Sequence, residues 1–240
     1  MTVVCVFAHQ DDEMRCLGTL VRLHEQGQRI GFVCVTNGDK GLSFDGPGGQ
    51  REAAAVRQRE MLAVASHFDA EYLCLEREDG FAVGDHELRT DLIEALRRLA
   101  AEVVFTHWTS DYNDDHVVTA KAVTDAALFT GISSFGAGSR ALPRTPRIFH
   151  THPGEGFGFE ATHFVPLSSA HVRQKATLIR RHESQMDVRR RMLGYDYADE
   201  MADHDRGQGA RLSVAAAEAF RPCLAERRVP WPSDLPGPLA

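Results

Sequence analysis

Val3, Val4, Cys5, Val6, Phe7 and Ala8 form an unbroken run of β-branched, aromatic and small apolar residues. Such a run is the pattern of a strand buried on both faces of a parallel sheet. It stops abruptly at His9, Gln10, Asp11, Asp12 and Glu13, where a helix is expected to begin. Leu17, Leu20 and Val21 recur at helical spacing until Gly27, and residues 30–35 read as a second strand. Residues 37–50 then carry five glycines and a proline, a long loop directly after a strand end. Loops of that length are uncommon in compact domains unless they serve function. Met61, Val64, Ala65 and Phe68 mark the apolar face of the next helix, and residues 71–75 a short strand. Leu88, Leu92, Leu96 and Leu99 give a further amphipathic helix, followed by a strand at Val103–Thr106. A helix opened by residues 111–116 should run through Phe129.

Strand and helix patterns in alternation predict an α/β fold, a mostly parallel sheet flanked by helices. The second half is less regular. Arg147–Thr151 and residues 163–167 read as strands joined by a glycine-rich segment. Ser168 to about Arg191 reads as one long polar helix. Five prolines from Pro222 onward argue for an extended tail over 222–240, after a single domain spanning 1–221.

With 43% hydrophobic residues in 240, the chain can bury a full core. A formal net charge of −7 argues against nucleic acid and anionic membrane as partners. Five cysteines with no CxxC make no disulfide framework. Cys5, Cys34 and Cys74 fall within predicted strands, where free cysteine behaves as a small hydrophobe. With no transmembrane run and no signal-like N-terminus, a cytoplasmic protein is expected. Homo-oligomerisation stays open.

Polar clusters close three of the predicted strands: residues 9–13, Asp79, and residues 111–116. Parallel topology brings carboxyl ends to one edge, where ligands bind in the crevice beyond. Three adjacent acids repel one another unless a cation or proton sits among them. A helix cap uses one acid, so capping by Asp11 or Asp12 leaves His9 and two further acids unexplained. Two histidines and a carboxylate suit a catalytic zinc or a non-haem iron triad, and spacing alone does not separate these. No HExxH, P-loop or GxGxxG follows a predicted strand. His24, His67 and His86 lie on helices away from the strand ends. His107, His150 and His152 fall close enough to approach a site there, and His182 has no assigned role.

The run from His9 to Glu13 resembles the AHPDDE signature of the PIG-L/LmbE family of zinc-dependent N-deacetylases. Residues 111–116 are similar to that family's second motif, which ends in Asp-His. Arg57 and Glu60 resemble its RxxE helix, Asp79 and Gly80 its acidic turn, residues 182–185 its HxSQ element, and residues 217–220 its near-terminal AEAF. The resemblance covers roughly residues 3–221 in the right order. It implies a Rossmann-like fold, one zinc per chain on His9, Asp12 and His116, and Asp11 as general base. It also implies Arg57 and Asp79 as holders of substrate hydroxyls, although a one-turn salt bridge from Arg57 to Glu60 accounts for Arg57 equally well. Asp39, in the glycine-rich loop, is expected near a substrate hydroxyl or amine. Asp115 either orients a ligand imidazole from behind or caps its helix.

Two positions depart from the family pattern. Gln10 stands where proline is usual, which should alter the rigidity of the turn more than its ligands. Asn113 stands where many members carry histidine; it can donate a hydrogen bond to an oxyanion but has no proton to transfer. The expected activity is removal of an N-acetyl or other N-acyl group from a small amino sugar or a metabolite that contains one. The rivals are an amidase of a larger acyl or thiol conjugate, and a metal-holding binding protein without hydrolysis.

Overall fold

In the computed structural model, which describes residues 1–41, 49–136, 138–154 and 157–224, strand β1 (Thr2–Phe7) is buried along its whole length. Its side chains alternate, as a strand requires. Val3, Cys5 and Phe7 join one apolar cluster, and Val4 and Val6 another. The first cluster is filled from helices α1 (Leu17–Glu25) and α2 (Gly49–His67) by Leu17, Leu20, Met61 and Val64. The second is filled from α3 (His86–Arg98) and α4 (Asp114–Phe129) by Leu88, Leu92, Leu96 and Val123. The result is a sheet with helices on both faces.

The remaining strands are β2 (Arg29–Thr36), β3 (Glu71–Arg77), β4 (Val103–Thr106), β5 (Arg147–Thr151), β6 (His163–Pro166) and β7 (Ala217–Pro222), in the order β3-β2-β1-β4-β5-β7-β6. β1 to β5 pair in parallel, and β7 runs antiparallel to both β5 and β6. From β1 the chain winds out through β2 and β3, whereas β4 pairs on the opposite side of β1. The border of β1 and β4 is therefore a topological switch point, where a crevice opens beyond the carboxyl ends. His9 leaves the end of β1 and His116 follows the end of β4, so topology alone sets them on either side of it.

The single long helix expected from Ser168 is two: α5 (Ser169–Ile179) and α6 (Glu183–Leu193). His182 breaks it at φ −83°, ψ 59°. Its ring turns into the interior, where Nε2 meets Glu13 Oε1 at 2.7 Å. The freed N-terminus of α6 is satisfied by Glu60, which accepts from the Ser184 N–H and hydroxyl at 2.7 and 2.8 Å. Helix α7 (Tyr197–Ala210) and strand β7 complete the fold without having been expected as elements. Most of the glycine-rich 37–50 loop and nearly all of the proline-rich tail lie outside the described residues. All five cysteines are free. Among the described residues no helix is long and apolar enough to cross a membrane.

One buried ionic cluster ties the late elements to the early ones. Glu218 of β7 accepts from the Gly18 and Thr19 N–H groups at 2.8 and 2.6 Å, at the start of α1. Lys175 of α5 sits between Glu218 and Asp205, at 2.7 and 2.6 Å. Burial disfavours the Lys175 ammonium, but the two carboxylates outweigh it and raise its pKa. Lys175→Met would leave both acids buried without their cation, at an expected cost of about 3–5 kcal/mol. Such acids hold protons more tightly in the folded chain than in the unfolded one. The deficit relative to the parent should therefore shrink as pH falls from about 8 to about 5. Thermal melts across that range check this, and a deficit that grows toward acid contradicts it.

Candidate active site

Asp11 is the sterically unusual residue of the crevice, with φ 127° and ψ −22°, outside the regions open to side-chain-bearing residues. Three hydrogen bonds hold it there. The Asp11 N–H donates to Glu13 Oε2 at 3.0 Å. Arg57, 4% exposed, donates from Nη2 to the Gln10 carbonyl and to Asp11 Oδ1, the latter at 3.0 Å. A short 3-10 turn (Asp12–Arg15) follows, and the Asp11 side chain does not cap it. Arg57 thus turns away from Glu60, which is committed to Ser184. Gln10, fully buried, donates from Nε2 to the Thr36 carbonyl and the Tyr72 hydroxyl at 3.1 and 3.2 Å. Where proline would stiffen the turn from within, Gln10 ties it to β2 and β3.

The donor atoms of His9, Asp12 and His116 lie within 4.8 Å of one another. The sets His107, Asp111, His116 and His9, Asp79, Asp115 meet the same limit, so hydrogen bonding has to decide among them. His9 Nε2 faces Asp115 and Asp79 at 3.2 and 3.1 Å, which leaves Nδ1 toward Asp12 Oδ2 at 3.1 Å. Asp115 is itself fixed by the Gly80 and Ala82 N–H groups at 2.7 and 3.0 Å. His116 repeats the arrangement: Nδ1 lies 3.2 Å from Asp111 Oδ1, and Nε2 lies 3.4 Å from Asp12 Oδ1. Each imidazole is backed by a carboxylate and presents its other nitrogen to Asp12, the pattern that orients metal-binding histidines. His107 differs. Its Nε2 accepts the Ala8 N–H at 2.9 Å, and its ring stacks on His116 at 3.9 Å between centroids. The lone pairs therefore converge from His9, Asp12 and His116, and this donor set fits a divalent cation such as zinc.

The electrostatics agree. Burial disfavours the Asp12 carboxylate, but the imidazoles of His116, His107 and His9 outweigh it and hold its pKa well below the usual range. Burial also opposes protonation of His116, yet Asp12 and Asp111 carry it up to about 9. The raised pKa values of His9 and His116 beside Asp12 mark a place where positive charge is favoured, as protons on those rings or as a cation that their freed lone pairs would hold. Burial pushes the Asp11 carboxyl up to about 6 against the pull of Arg57, and drives His107 down to about 4.

Asn113 caps α4, its Oδ1 accepting the Asp115 N–H at 2.9 Å, and also lines the cleft. Asp39 accepts the Asp79 N–H at 3.1 Å; from its loop it is Lys40 and Gly41 that face the cleft. His150 is buried behind the site, with Nδ1 on the His107 carbonyl at 2.5 Å, whereas His152 lines the cleft. His24, His67 and His86 are on helices α1, α2 and α3, away from it. Sequence reasoning passed over Asp111 and Glu13 as individual actors. Their signal was only that they sit among other acids beside the histidines. The cleft holds about 440 Å³.

The family described as PIG-L, GlcNAc-PI de-N-acetylase, matches residues 4–127. No curated protein matches by sequence. Among solved structures, the conserved protein TT1542 from Thermus thermophilus is 25% identical, with 96% of this chain and 98% of that one covered at TM-score 0.76. N,N'-diacetylchitobiose deacetylase from Pyrococcus horikoshii is 21% identical over 92% and 83%, TM-score 0.79. The 4-carboxy-2-hydroxymuconate hydratase GalB from Pseudomonas putida is 18% identical over 94% and 97%, TM-score 0.80. A deacetylase and a hydratase on one fold show that architecture alone does not choose the reaction. The family match covers more than half of the chain and includes both the His9–Asp12 turn and His116, and on that ground this protein belongs to the PIG-L family.

Proposed function

We propose that the protein hydrolyses the N-acetyl, or a related N-acyl, amide of an amino sugar or amino-sugar-containing metabolite, using one zinc ion held by His9, Asp12 and His116. The observation that carries this reading is Asp11: a buried carboxylate fixed in a strained turn directly beside the convergent donor set. A binding protein has no use for a base locked in that position. One deacetylase among its structural relatives acts on N,N'-diacetylchitobiose, which agrees with an amino-sugar substrate.

Bound zinc would polarise the acyl carbonyl and make water acidic enough to attack it near neutral pH. The protein's own part is proton management and positioning. Asp11 takes the proton of the attacking water and returns it to the departing amine, so one carboxylate serves as base and then as acid. Its pKa of about 6 suits both roles. Arg57 keeps the carboxylate aimed, and Asp79, against His9 and within 3.8 Å of Arg57, closes the substrate side of the cleft. With its oxygen spent on the cap, Asn113 retains an amide N–H to offer the developing oxyanion. Asp115 and Asp111 hold the two imidazoles.

Purified protein is expected to carry about one zinc per chain. His116→Ala should lose the metal, while Asp11→Asn should keep it and lose about 10²–10⁴ in kcat. Elemental analysis alongside acetate release from N-acetylated amino sugars checks both, and full turnover by Asp11→Asn would sink the assigned base.

For Asn113, serine keeps a capping oxygen but loses the amide N–H. Asn113→Ser should retain the parent Tm and lose about 10²-fold in kcat, as removal of one oxyanion donor does elsewhere. Unchanged kcat would reduce Asn113 to a helix cap.

A further inference from the structure

Gln10 lies between His9 and Asp11, yet it is 0% exposed and takes no part in lining the cleft. Glutamine is seldom buried so completely. This one is also imperfectly satisfied, because its Oε1 has no hydrogen-bond partner among the described residues. Gly38 encloses it: at φ 68° the loop after β2 passes so close that a Cβ there would lie 2.5 Å from Oε1. An orphaned buried acceptor costs stability, whereas an apolar side chain of the same shape would cost little or none. Stability therefore does not account for a glutamine at this position.

Its amide nitrogen does have partners, and both are rigid. Nε2 donates to the Thr36 carbonyl at 3.1 Å and to the Tyr72 hydroxyl at 3.2 Å. Thr36 ends β2 and is pinned to the end of β1, where its N–H and its hydroxyl both donate to the Ala8 carbonyl at 2.9 Å. Tyr72 stands on β3, the edge strand of the sheet, with its ring against the first apolar cluster. Burial, with the Cys34 and Cys74 thiols beside it, raises the Tyr72 pKa, so the hydroxyl stays neutral. Like Gln10, neither Thr36 nor Tyr72 lines the cleft. The Gln10 carbonyl meanwhile accepts from Arg57, which also holds Asp11. One buried side chain thus joins the turn to β2 and β3, and its carbonyl joins it to α2. A residue at φ 127° relaxes wherever its surroundings permit, so each of these ties opposes the relaxation of Asp11.

We infer that Gln10 and Tyr72 are positioning residues for Asp11: the contact of the Gln10 amide with the Tyr72 hydroxyl, behind the cleft, keeps the turn in the conformation that aims the Asp11 carboxylate at the metal set. Asp11 as the base is taken from the deacetylase reading, on which this assignment rests. What is added is a reach of the machinery to the edge of the sheet, through residues that touch neither substrate nor metal.

Hydrogen exchange at the Asp11 amide reads the turn without any turnover. Tm, kcat, KM and zinc content are measured on the same preparations. Gln10→Leu should keep or raise the parent Tm, since it removes an orphaned polar atom. Gln10→Leu and Tyr72→Phe should each speed Asp11 exchange about ten-fold, with exchange at Val4 and Val6 in β1 unchanged. Each should lower kcat about ten-fold at constant KM and zinc content, as misplacing a catalytic group does. Because the two substitutions break the same contact, the double variant should be no worse than Gln10→Leu. Parent exchange in both single variants, parent kcat despite faster exchange, a double variant in which the two losses multiply, or a kcat loss matched by lost zinc overturns the inference. Faster exchange in the variants, with no acetate released by the parent from any N-acetylated amino sugar, contradicts deacetylation and upholds the hold on the turn. Acetate released at the parent rate by both variants contradicts only the hold.

Discussion

The hydrogen bonds from the Asp11 N–H to the Glu13 carboxylate and from Arg57 to Asp11 and Gln10 hold a backbone conformation that an aspartate would not adopt alone. Residues in such sparsely populated conformations cost about 1–3 kcal/mol and persist only where their surroundings over-determine them. Here the surroundings reach far along the chain. Glu13 is fixed from behind by His182, at the break between α5 and α6. Arg57 rides on α2, whose Glu60 holds the start of α6. One tight turn thus depends on helices that begin dozens of residues later. In return it delivers His9, Asp11 and Asp12 to the crevice at fixed angles.

Around that turn the balance of charge decides the chemistry. Asp11, Asp12, Asp79 and Asp111 all line one cleft, with Asp115 behind them and Arg57 as their fixed internal cation. The imidazoles of His9 and His116 compensate in part, each pinned to a carboxylate on its outer side. A divalent cation among the inner donors would complete the neutralisation. The same crowding explains why Asp11, squeezed by burial, holds its proton more readily than an ordinary carboxylate.

The first half of the fold was legible because each element carries its own signal: a continuous apolar run for β1, helical leucine spacing for α3, a clean β4. The meeting of His9, Asp12 and His116 was legible as well, since strand ends of a parallel sheet must share an edge. The second half was not, for physical reasons. The break at His182 comes from a tertiary contact with Glu13, which no local pattern encodes. Helix α7 contains Gly207 and Gly209, poor helix formers. Gly209 is there for close packing, because a Cβ would fall 2.6 Å from Ala216 Cα. Strand β7 ends in Pro222 and inserts between β5 and β6, a pairing set wholly by distant partners. Arg57 was ambiguous in sequence because Glu60 lies one turn away; only the folded chain shows that each has a different partner.

The most direct test of the locked turn is Arg57→Met, followed by zinc affinity, measured by competition with a chromophoric chelator, and kcat on the same preparation. The donor set does not include Arg57, so zinc affinity should stay within about three-fold of the parent. Losing the grip on Asp11 should lower kcat by about 10²-fold, the scale of misplacing a catalytic group. Unchanged kcat would contradict the role given to the turn, as would a loss of zinc large enough to explain the loss of turnover.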